Sequence, residues 1–143
     1  MTTYCFDTDV LSAVLRRDPP MHLVRRLAVT PPEQQVTTAI TAGELVHGAA
    51  KRGSPALTAH VGDLLKTALT ILPFDAAAAE AYGRLRAELE AAGRPLAEPD
   101  LRIASIARAR GLTLVTGNVR HFARVPDLPV ENWLDEPAGE GTP

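Results

Sequence analysis

Short apolar runs alternate with longer stretches of helical periodicity along most of this chain. Runs rich in apolar and β-branched residues predict strands at 3–6, 35–40, 70–74 and 112–116, and a last short strand at 130–133. Between them, apolar residues recur at helical spacing, which predicts the helices 9–17, 21–29, 41–51, 56–68, 76–92 and 99–110. Strands that alternate with helices in this way are typical of an α/β domain with a mainly parallel central sheet.

Prolines, glycines and a capping aspartate mark where these elements begin and end. Asp18-Pro19-Pro20, Thr30-Pro31-Pro32 and Gly53-Ser54-Pro55 interrupt the helical pattern. Asp75 is placed to cap the long alanine-rich helix, and Gly111 is placed to end the last one. The chain shows no internal repeat and no linker between folded units.

Length and composition are those of one globular domain. The chain has 143 residues, of which 45% are hydrophobic and 22% charged. No apolar run approaches a membrane span, and Met1-Thr2-Thr3-Tyr4 lacks the layout of a signal peptide. A single cysteine, Cys5, excludes an internal disulfide and a cysteine-based zinc site. We therefore expect a domain over residues 1–134, a disordered acidic tail at 135–143, and a cytoplasmic location with no membrane partner.

Basic residues are nearly all arginine, although the net charge is −2. Arginine binds phosphate through a planar, two-pronged contact, so a local basic face for nucleic acid is one interpretation. Codon preference of a GC-rich genome, with arginines on solvated helix faces, is the other. Five arginines fall in the C-terminal third of the chain: Arg102, Arg108, Arg110, Arg120 and Arg124.

Polar residues follow two of the predicted strands directly. Asp7 comes after the first strand, and Thr116 and Asn118 come at and just beyond the end of the fourth. Ligands of parallel α/β sheets bind beyond the carboxyl ends of the strands, so these positions are candidates for chemistry. The structural alternative is that Asp7 or Thr8 only caps the helix that follows.

Further acids stand near helix starts beside small or apolar residues. Glu44 has the Thr-x-x-Glu spacing of a capping box with Thr41, which is its structural alternative. Glu98 and Asp100 flank Pro99 at the start of a largely apolar helix. Carboxylates that converge repel one another, and a hard divalent cation such as Mg²⁺ relieves that repulsion through oxygen ligands. Such a site activates water and stabilises a phosphoryl transition state.

Six short motifs occur in order along the chain. They are Phe6-Asp7-Thr8-Asp9-Val10-Leu11, Ala42-Gly43-Glu44-Leu45, Leu72-Pro73-Phe74-Asp75, Pro99-Asp100-Leu101-Arg102-Ile103-Ala104, Leu114-Val115-Thr116-Gly117-Asn118 and Val130-Glu131-Asn132-Trp133. As an ordered set they resemble the PIN-domain ribonucleases, specifically the VapC-like toxins of bacterial toxin–antitoxin pairs. The resemblance extends to about residue 133 and implies a three-layer α/β/α domain.

The resemblance implies a Mg²⁺-dependent endoribonuclease, with Mn²⁺ as a possible substitute, that cuts RNA with an activated water. It places the metal-binding acids at Asp7, Glu44 and Asp100. The fourth position of the family, usually acidic, falls on Asn118, which supplies an amide oxygen but no charge. Thr116 matches a hydroxyl that lines the site.

Three neighbouring residues have weaker parts in this resemblance. Thr8 matches a second hydroxyl position, and Asp9 and Glu98 are candidate supporting acids. The resemblance also implies a homodimer, and a small VapB-like antitoxin whose C-terminal segment occupies the active-site groove.

Other functions remain open from the residues alone. A degenerate PIN domain that binds RNA or a protein partner without cutting is favoured by Asn118. A HAD-type phosphatase shares the strand-end Asp-x-Asp motif, but it needs a late lysine, and none follows Lys66. It also needs a Gly-Asp-x-x-x-Asp cluster. After Gly62-Asp63, the position of the second aspartate is occupied by Thr67. Glu44 and His47 have the Glu-x-x-His spacing of di-iron bundles, but no other histidine follows a glutamate in this way.

Four residues are predicted to be structural. Cys5 is expected to be an inert buried thiol, and Phe122 and Trp133 are expected to pack the C-terminal segment. Tyr82 is expected at a core or dimer surface.

Overall fold

Five short parallel strands form the centre of the molecule in the order β3-β2-β1-β4-β5. The computed structural model describes residues 1–135. The strands are β1 (Tyr4–Phe6), β2 (Gln35–Thr38), β3 (Thr70–Leu72), β4 (Thr113–Val115) and β5 (Val130–Glu131). The parallel sheet predicted from the alternating pattern is confirmed.

Helices cover both faces of this sheet. They are α1 (Thr8–Val14), α2 (Met21–Val29), α3 (Ala39–Arg52), α4 (Pro55–Asp63), α5 (Ala76–Ala91), α6 (Glu98–Ala109) and α7 (Val119–Phe122). A 3-10 turn at Pro32–Gln34 leads into β2, and a π-helical turn at Leu64–Ala68 follows α4. In the part of the chain that the structure describes, no helix is long and apolar enough to cross a membrane.

Adjacent residues of the central strand point into two separate cores, as the alternation of side chains along a strand requires. Cys5 belongs to the cluster with Leu85 of α5 and Ile103 of α6. Phe6 belongs to the cluster built on the other face, with Val10 of α1 and Leu45 of α3. The molecule is therefore a three-layer α/β/α domain, as predicted.

Several element boundaries differ from the sequence prediction; α1, for example, ends at Val14 and not at residue 17. Strand β2 ends at Thr38 and not at residue 40, because the Thr38 hydroxyl accepts the backbone N–H of Thr41 at 3.1 Å and starts α3 two residues early. The helix predicted over 56–68 is α-helical only to Asp63 and continues as the π-helical turn.

Helix α7 has no counterpart among the predicted elements, because four residues are too few for a periodic pattern. The disordered tail predicted for 135–143 falls, from residue 136 onward, outside the described residues.

The residues predicted to be structural are buried or half-buried. Cys5 is fully buried, and burial raises the pKa of its thiol to about 12, so it is unreactive. Phe122 and Trp133 are also buried. Tyr82 is half-buried and packs its ring edge against Phe74 at a centroid distance of 5.9 Å.

Candidate active site

The carboxyl ends of the two central strands bring Asp7 and Thr116 together. Phe6 of β1 pairs with Val115 of β4, and the next residue, Asp7, donates its backbone N–H to the Val115 carbonyl at 2.9 Å. The Thr116 hydroxyl then donates to Asp7 Oδ2 at 2.7 Å. Both side chains are buried. Asp7 also caps α1, since its Oδ1 accepts the Thr8 N–H at 2.8 Å, so the capping alternative is confirmed, while Oδ2 accepts the Thr116 hydroxyl.

Asp9 joins this pair through the same threonine. Its carboxylate accepts the Gly117 backbone N–H at 2.9 Å and lies 3.4 Å from the Thr116 hydroxyl. A Cβ at position 117 would lie only 2.7 Å from Asp9 Oδ2 and from a side-chain carbon of Leu134, so glycine permits this close approach. The sequence indicates Asp9 only as a candidate supporting acid, and the structure places it beside Asp7 and Thr116.

Glu44 of α3 contacts Thr8, the residue that follows Asp7. The Thr8 hydroxyl donates to Glu44 Oε1 at 2.6 Å and lies 3.3 Å from the Thr41 hydroxyl. The capping-box alternative for Thr41 and Glu44 is wrong, because Thr38 is the N-cap and the Glu44 carboxylate accepts from Thr8.

Asp100 completes the acidic group from the first turn of α6. Burial raises its pKa, and the charges of Glu44 and Asp9 raise it further, while His121 acts in the opposite direction. Burial likewise raises the pKa of Asp7 to about 6, with Asp9 and Asp100 adding to the effect and the hydrogen bonds from Thr116 and Thr8 opposing it. The charges of neighbouring carboxylates thus add to burial in disfavouring the ionised forms of Asp7 and Asp100.

Asn118 and His121 border this acidic cluster, which we define as Asp7, Asp9, Glu44 and Asp100. The Asn118 backbone N–H donates to the Thr116 hydroxyl at 3.0 Å, and its amide nitrogen lies 2.7 Å from His121 Nδ1. The sequence patterns do not single out His121. The available signal is its position one helical turn after Asn118, but helix α7 is itself too short to be predicted.

Glu98 does not belong to the cluster, so its candidacy as a supporting acid is wrong. Its carboxylate accepts the Tyr82 hydroxyl at 2.7 Å and pairs with Arg102 at 3.2 Å. The Tyr82 hydrogen bond, above all, lowers the pKa of Glu98. Asp100 lies two positions after Glu98 on α6, so their side chains leave the helix on different faces.

The acidic cluster has the chemistry of a site for a hard divalent cation. Within residues 1–135, none of its four carboxylates forms a salt bridge with an arginine, lysine or histidine. Carboxylate oxygens are the ligands that Mg²⁺ prefers, and Mg²⁺ usually keeps several of its waters. In the same stretch, no three acidic, histidine or cysteine side chains stand close enough to form a closed ligand set. The residues therefore fit an ion that is held by a few carboxylates and completed by water.

Thr116→Val tests how far the buried hydroxyl supports Asp7. The variant removes the donor to a buried carboxylate, so we expect it to lower the free energy of unfolding by about 1–3 kcal/mol and to raise the pKa of Asp7 further. Urea unfolding of the metal-free protein at neutral pH measures the loss. Thr116→Ser keeps the hydroxyl and is the control. Equal stability of the valine variant and the wild type would show that the hydrogen bond contributes nothing.

Comparisons with known proteins identify the family. The PIN domain family matches residues 4–128. Ribonuclease VapC2 of Haemophilus influenzae is 35% identical over 94% of this chain and 100% of its own length. The tRNA(fMet)-specific endonuclease VapC of Shigella flexneri is 35% identical over 93% of this chain and 99% of its own. A crystal structure of DNA-bound VapBC from Salmonella typhimurium superposes with a TM-score of 0.84 at 32% identity, covering 93% of this chain and 99% of that one. The chain therefore belongs to the PIN-domain family, among the VapC ribonucleases of toxin–antitoxin systems.

Proposed function

We propose that this protein is a metal-dependent endoribonuclease that hydrolyses RNA phosphodiester bonds at the acidic cluster. The observation that carries the proposal is the convergence of four carboxylates, without a basic partner in residues 1–135, at the carboxyl ends of β1 and β4. A bound Mg²⁺ or Mn²⁺ would supply a nucleophilic water at neutral pH and offset the charge of the phosphoryl transition state. The family relationship supports the choice of RNA as substrate.

In this proposal Asp7, Glu44 and Asp100 hold the ion, directly or through the waters that it keeps. Thr116 and Thr8 orient Asp7 and Glu44 through hydrogen bonds of 2.7 Å and 2.6 Å. Charge-assisted hydrogen bonds of this kind are short and hold a carboxylate in a fixed geometry. The site is therefore built in two layers, acids inside and hydroxyls behind them.

Asp9, Asn118 and Thr116 form the β4 side of the proposed site. Asp9 is held by Gly117 N–H and contributes charge to the cluster. Asn118 contributes an amide in place of a carboxylate, and Thr116 joins it to Asp7. Because Asn118 is neutral, this side carries one negative charge fewer than a site with an acid at that position.

We propose further that an antitoxin of the VapB type inhibits the protein in a homodimeric complex in the cytoplasm. Relatives solved as VapBC complexes support this partner. A cleft of about 220 Å³ between α1, α3 and α4 runs up to Glu44. Its lining combines apolar residues, among them Leu15, Leu45, Leu57 and Val61, with Arg16 and Arg52. Such a surface suits an apolar peptide segment that ends at the acidic cluster.

A PIN domain that binds RNA or a protein without cutting is the second candidate, since Asn118 lowers the charge of the site. Incubating purified protein with RNA decides between the two. The proposal expects cleavage with Mg²⁺ or Mn²⁺ and none with EDTA. Binding of RNA without cleavage under all metal conditions would favour the degenerate domain.

Asn118→Asp is expected to lower the Mg²⁺ concentration that gives half-maximal cleavage. The variant adds a negative charge beside the cluster, and charge count tunes the affinity for hard cations. For a direct ligand we expect at least about a tenfold decrease, equivalent to about 1.4 kcal/mol. Activity titrated against Mg²⁺ measures the change.

Gln34→Glu is the matched control for this variant. It adds the same charge before β2, at the opposite end of the sheet. An unchanged midpoint for Asn118→Asp, equal to that of the control, would place Asn118 outside the metal's ligands.

A further inference from the structure

The five C-terminal arginines divide into two groups by their partners. Three are engaged by carboxylates: Arg102 by Glu98 at 3.2 Å, Arg108 by Glu88 at 3.5 Å and Arg110 by Asp75 at 3.2 Å. Arg120 and Arg124 have no carboxylate within salt-bridge distance among residues 1–135. The first group is neutralised by helix-surface acids, and only the second offers charge to a ligand.

Arg120 and Arg124 lie in one surface pocket together with Arg94. We call it the arginine pocket; its volume is about 560 Å³, and it is lined by Gly93, Arg94, Pro95, Arg120, Ala123 and Arg124. Arg124 Nη1 donates to the Pro95 carbonyl at 2.9 Å and ties α7 to the loop between α5 and α6. No acidic residue lines the pocket. Three guanidinium groups thus share an open cavity that carries no negative side chain.

Residues of the arginine pocket lie close in the chain to two parts of the proposed active site. Arg120 lies on α7, two residues after Asn118 and next to His121. Arg94 and Pro95 precede α6, whose first turn carries Asp100. The pocket therefore belongs to the same two segments as Asn118 and Asp100. Its positive charge is opposite in sign to that of the acidic cluster.

We propose that the arginine pocket binds a backbone phosphate of the RNA strand next to the phosphodiester that is cut. The inference rests on the proposed function. Arginine's planar donor pairs match phosphate oxygens, and a phosphate fits a cavity whose charge is wholly positive. A strand held there keeps its negative charge on the arginines while the neighbouring phosphodiester approaches the carboxylates. The contact is to the backbone, so it positions the strand and reads no sequence.

The test is RNA binding by the full chain in EDTA, where no cleavage is expected, measured at several salt concentrations. The Arg94→Gln/Arg120→Gln variant removes two guanidinium groups and keeps the Arg124–Pro95 hydrogen bond that supports the loop. We expect its affinity for a single-stranded RNA to fall about tenfold near 0.1 M salt. Its salt slope should fall by about 0.7 for each phosphate that the protein no longer neutralises.

The Arg84→Gln/Arg108→Gln variant is the matched control, because it removes the same charge from arginines already paired with Glu80 and Glu88. Its RNA affinity and salt slope should stay near those of the wild type. The Arg94→Lys/Arg120→Lys variant keeps the charge, so it should recover most of the salt slope but less of the affinity.

Three results would separate the possible failures. If the wild type cleaves RNA, and the pocket variant binds RNA as tightly as the control variant and the wild type do, the arginine pocket is not an RNA contact. The proposed function then stands. If the pocket variant binds RNA normally but loses affinity for the antitoxin, the pocket is a protein contact and our inference is overturned. If the wild type neither binds nor cleaves RNA with Mg²⁺ or Mn²⁺, the proposed function itself fails.

Discussion

Asp7→Asn is expected to abolish RNA cleavage and, at the same time, to stabilise the metal-free protein at neutral pH. Asp7 is only 6% exposed, and burial raises its pKa from 3.8 to about 6. Loss of its charge removes a proposed metal ligand, and disturbing even the groups that support metal ligands costs about 10–100-fold. We therefore expect cleavage to fall by at least about 100-fold. Glu44→Gln and Asp100→Asn should abolish cleavage in the same way.

The stability gain follows from the direction of the pKa shift. A carboxyl group whose pKa is raised by folding stabilises the folded state fully below its unfolded pKa, near 4, and loses that contribution as the pH rises through about 6. A rise from 3.8 to about 6 corresponds to about 3 kcal/mol. The neutral asparagine does not titrate. It can also accept the Thr8 N–H with its oxygen and donate to the Thr116 hydroxyl.

Urea unfolding in EDTA at pH 7.5 and at pH 5 measures this prediction. The variant should be more stable than the wild type by up to about 3 kcal/mol at the higher pH. At pH 5 the difference should shrink, because the wild-type carboxyl is then largely protonated. Asp18→Asn changes the same charge at an exposed position and should leave both values near wild type. A variant that is less stable than wild type at both pH values would contradict the account of Asp7.

Trp133→Ala is expected to lower the free energy of unfolding by about 3–5 kcal/mol. Trp133 is 1% exposed and packs against the rings of Tyr4 and Phe6 at centroid distances of 4.9 and 5.4 Å. The Arg26 guanidinium lies 4.2 Å from its ring centroid, and its indole N–H donates to Glu131 at 3.0 Å. One side chain thus joins α2, β1 and β5. The free energy of unfolding of a domain is about 5–15 kcal/mol, so the substitution would remove a large fraction of it.

Urea or thermal unfolding of the Trp133 variants measures the loss. Trp133→Phe keeps an aromatic ring in the cavity and gives up the indole N–H, so it should cost much less than the alanine substitution. A loss below about 1 kcal/mol for Trp133→Ala would show that the C-terminal segment does not depend on this contact.

The pairing of strand ends explains how much of the site the sequence could predict. Asp7 and Thr116 each follow a strong apolar run, and parallel strands carry such positions to one edge of the sheet. Their place at the same edge of the sheet is therefore predictable from the hydrophobic pattern, whereas the pairing of β1 with β4 comes from the structure. Glu44 and Asp100 lie near helix starts, where an acid has an ordinary structural explanation, and only the family resemblance singles them out.

The parts that the sequence could not predict depend on side-chain contacts across the fold. Glu98 and Asp100 are two residues apart at one helix start, and only packing shows that Glu98 faces Tyr82 while Asp100 faces the cluster. Asp9 and Gly117 meet across 108 residues of chain. The early start of α3 follows from the Thr38 hydroxyl bond, which competes successfully with the β-branched pattern of the segment.

The same limit applies to the arginines. All five carry the same charge in the sequence, and only the folded arrangement of acids on α5 and α6 neutralises three of them. Arg94 lies outside the predicted basic segment and joins Arg120 and Arg124 only through the loop that precedes α6.

The most direct test of the central claim is cleavage, under single-turnover conditions with Mg²⁺, of an RNA that carries one 2′-deoxynucleotide at its mapped cleavage site. In the proposed reaction the nucleophile is a water activated at the acidic cluster, so the 2′-hydroxyl takes no part in the chemistry. The account predicts that the substituted RNA is cut at a rate within a few-fold of the all-ribose RNA. Complete loss of cleavage, together with a 2′,3′-cyclic phosphate on the product of the all-ribose RNA, would contradict it.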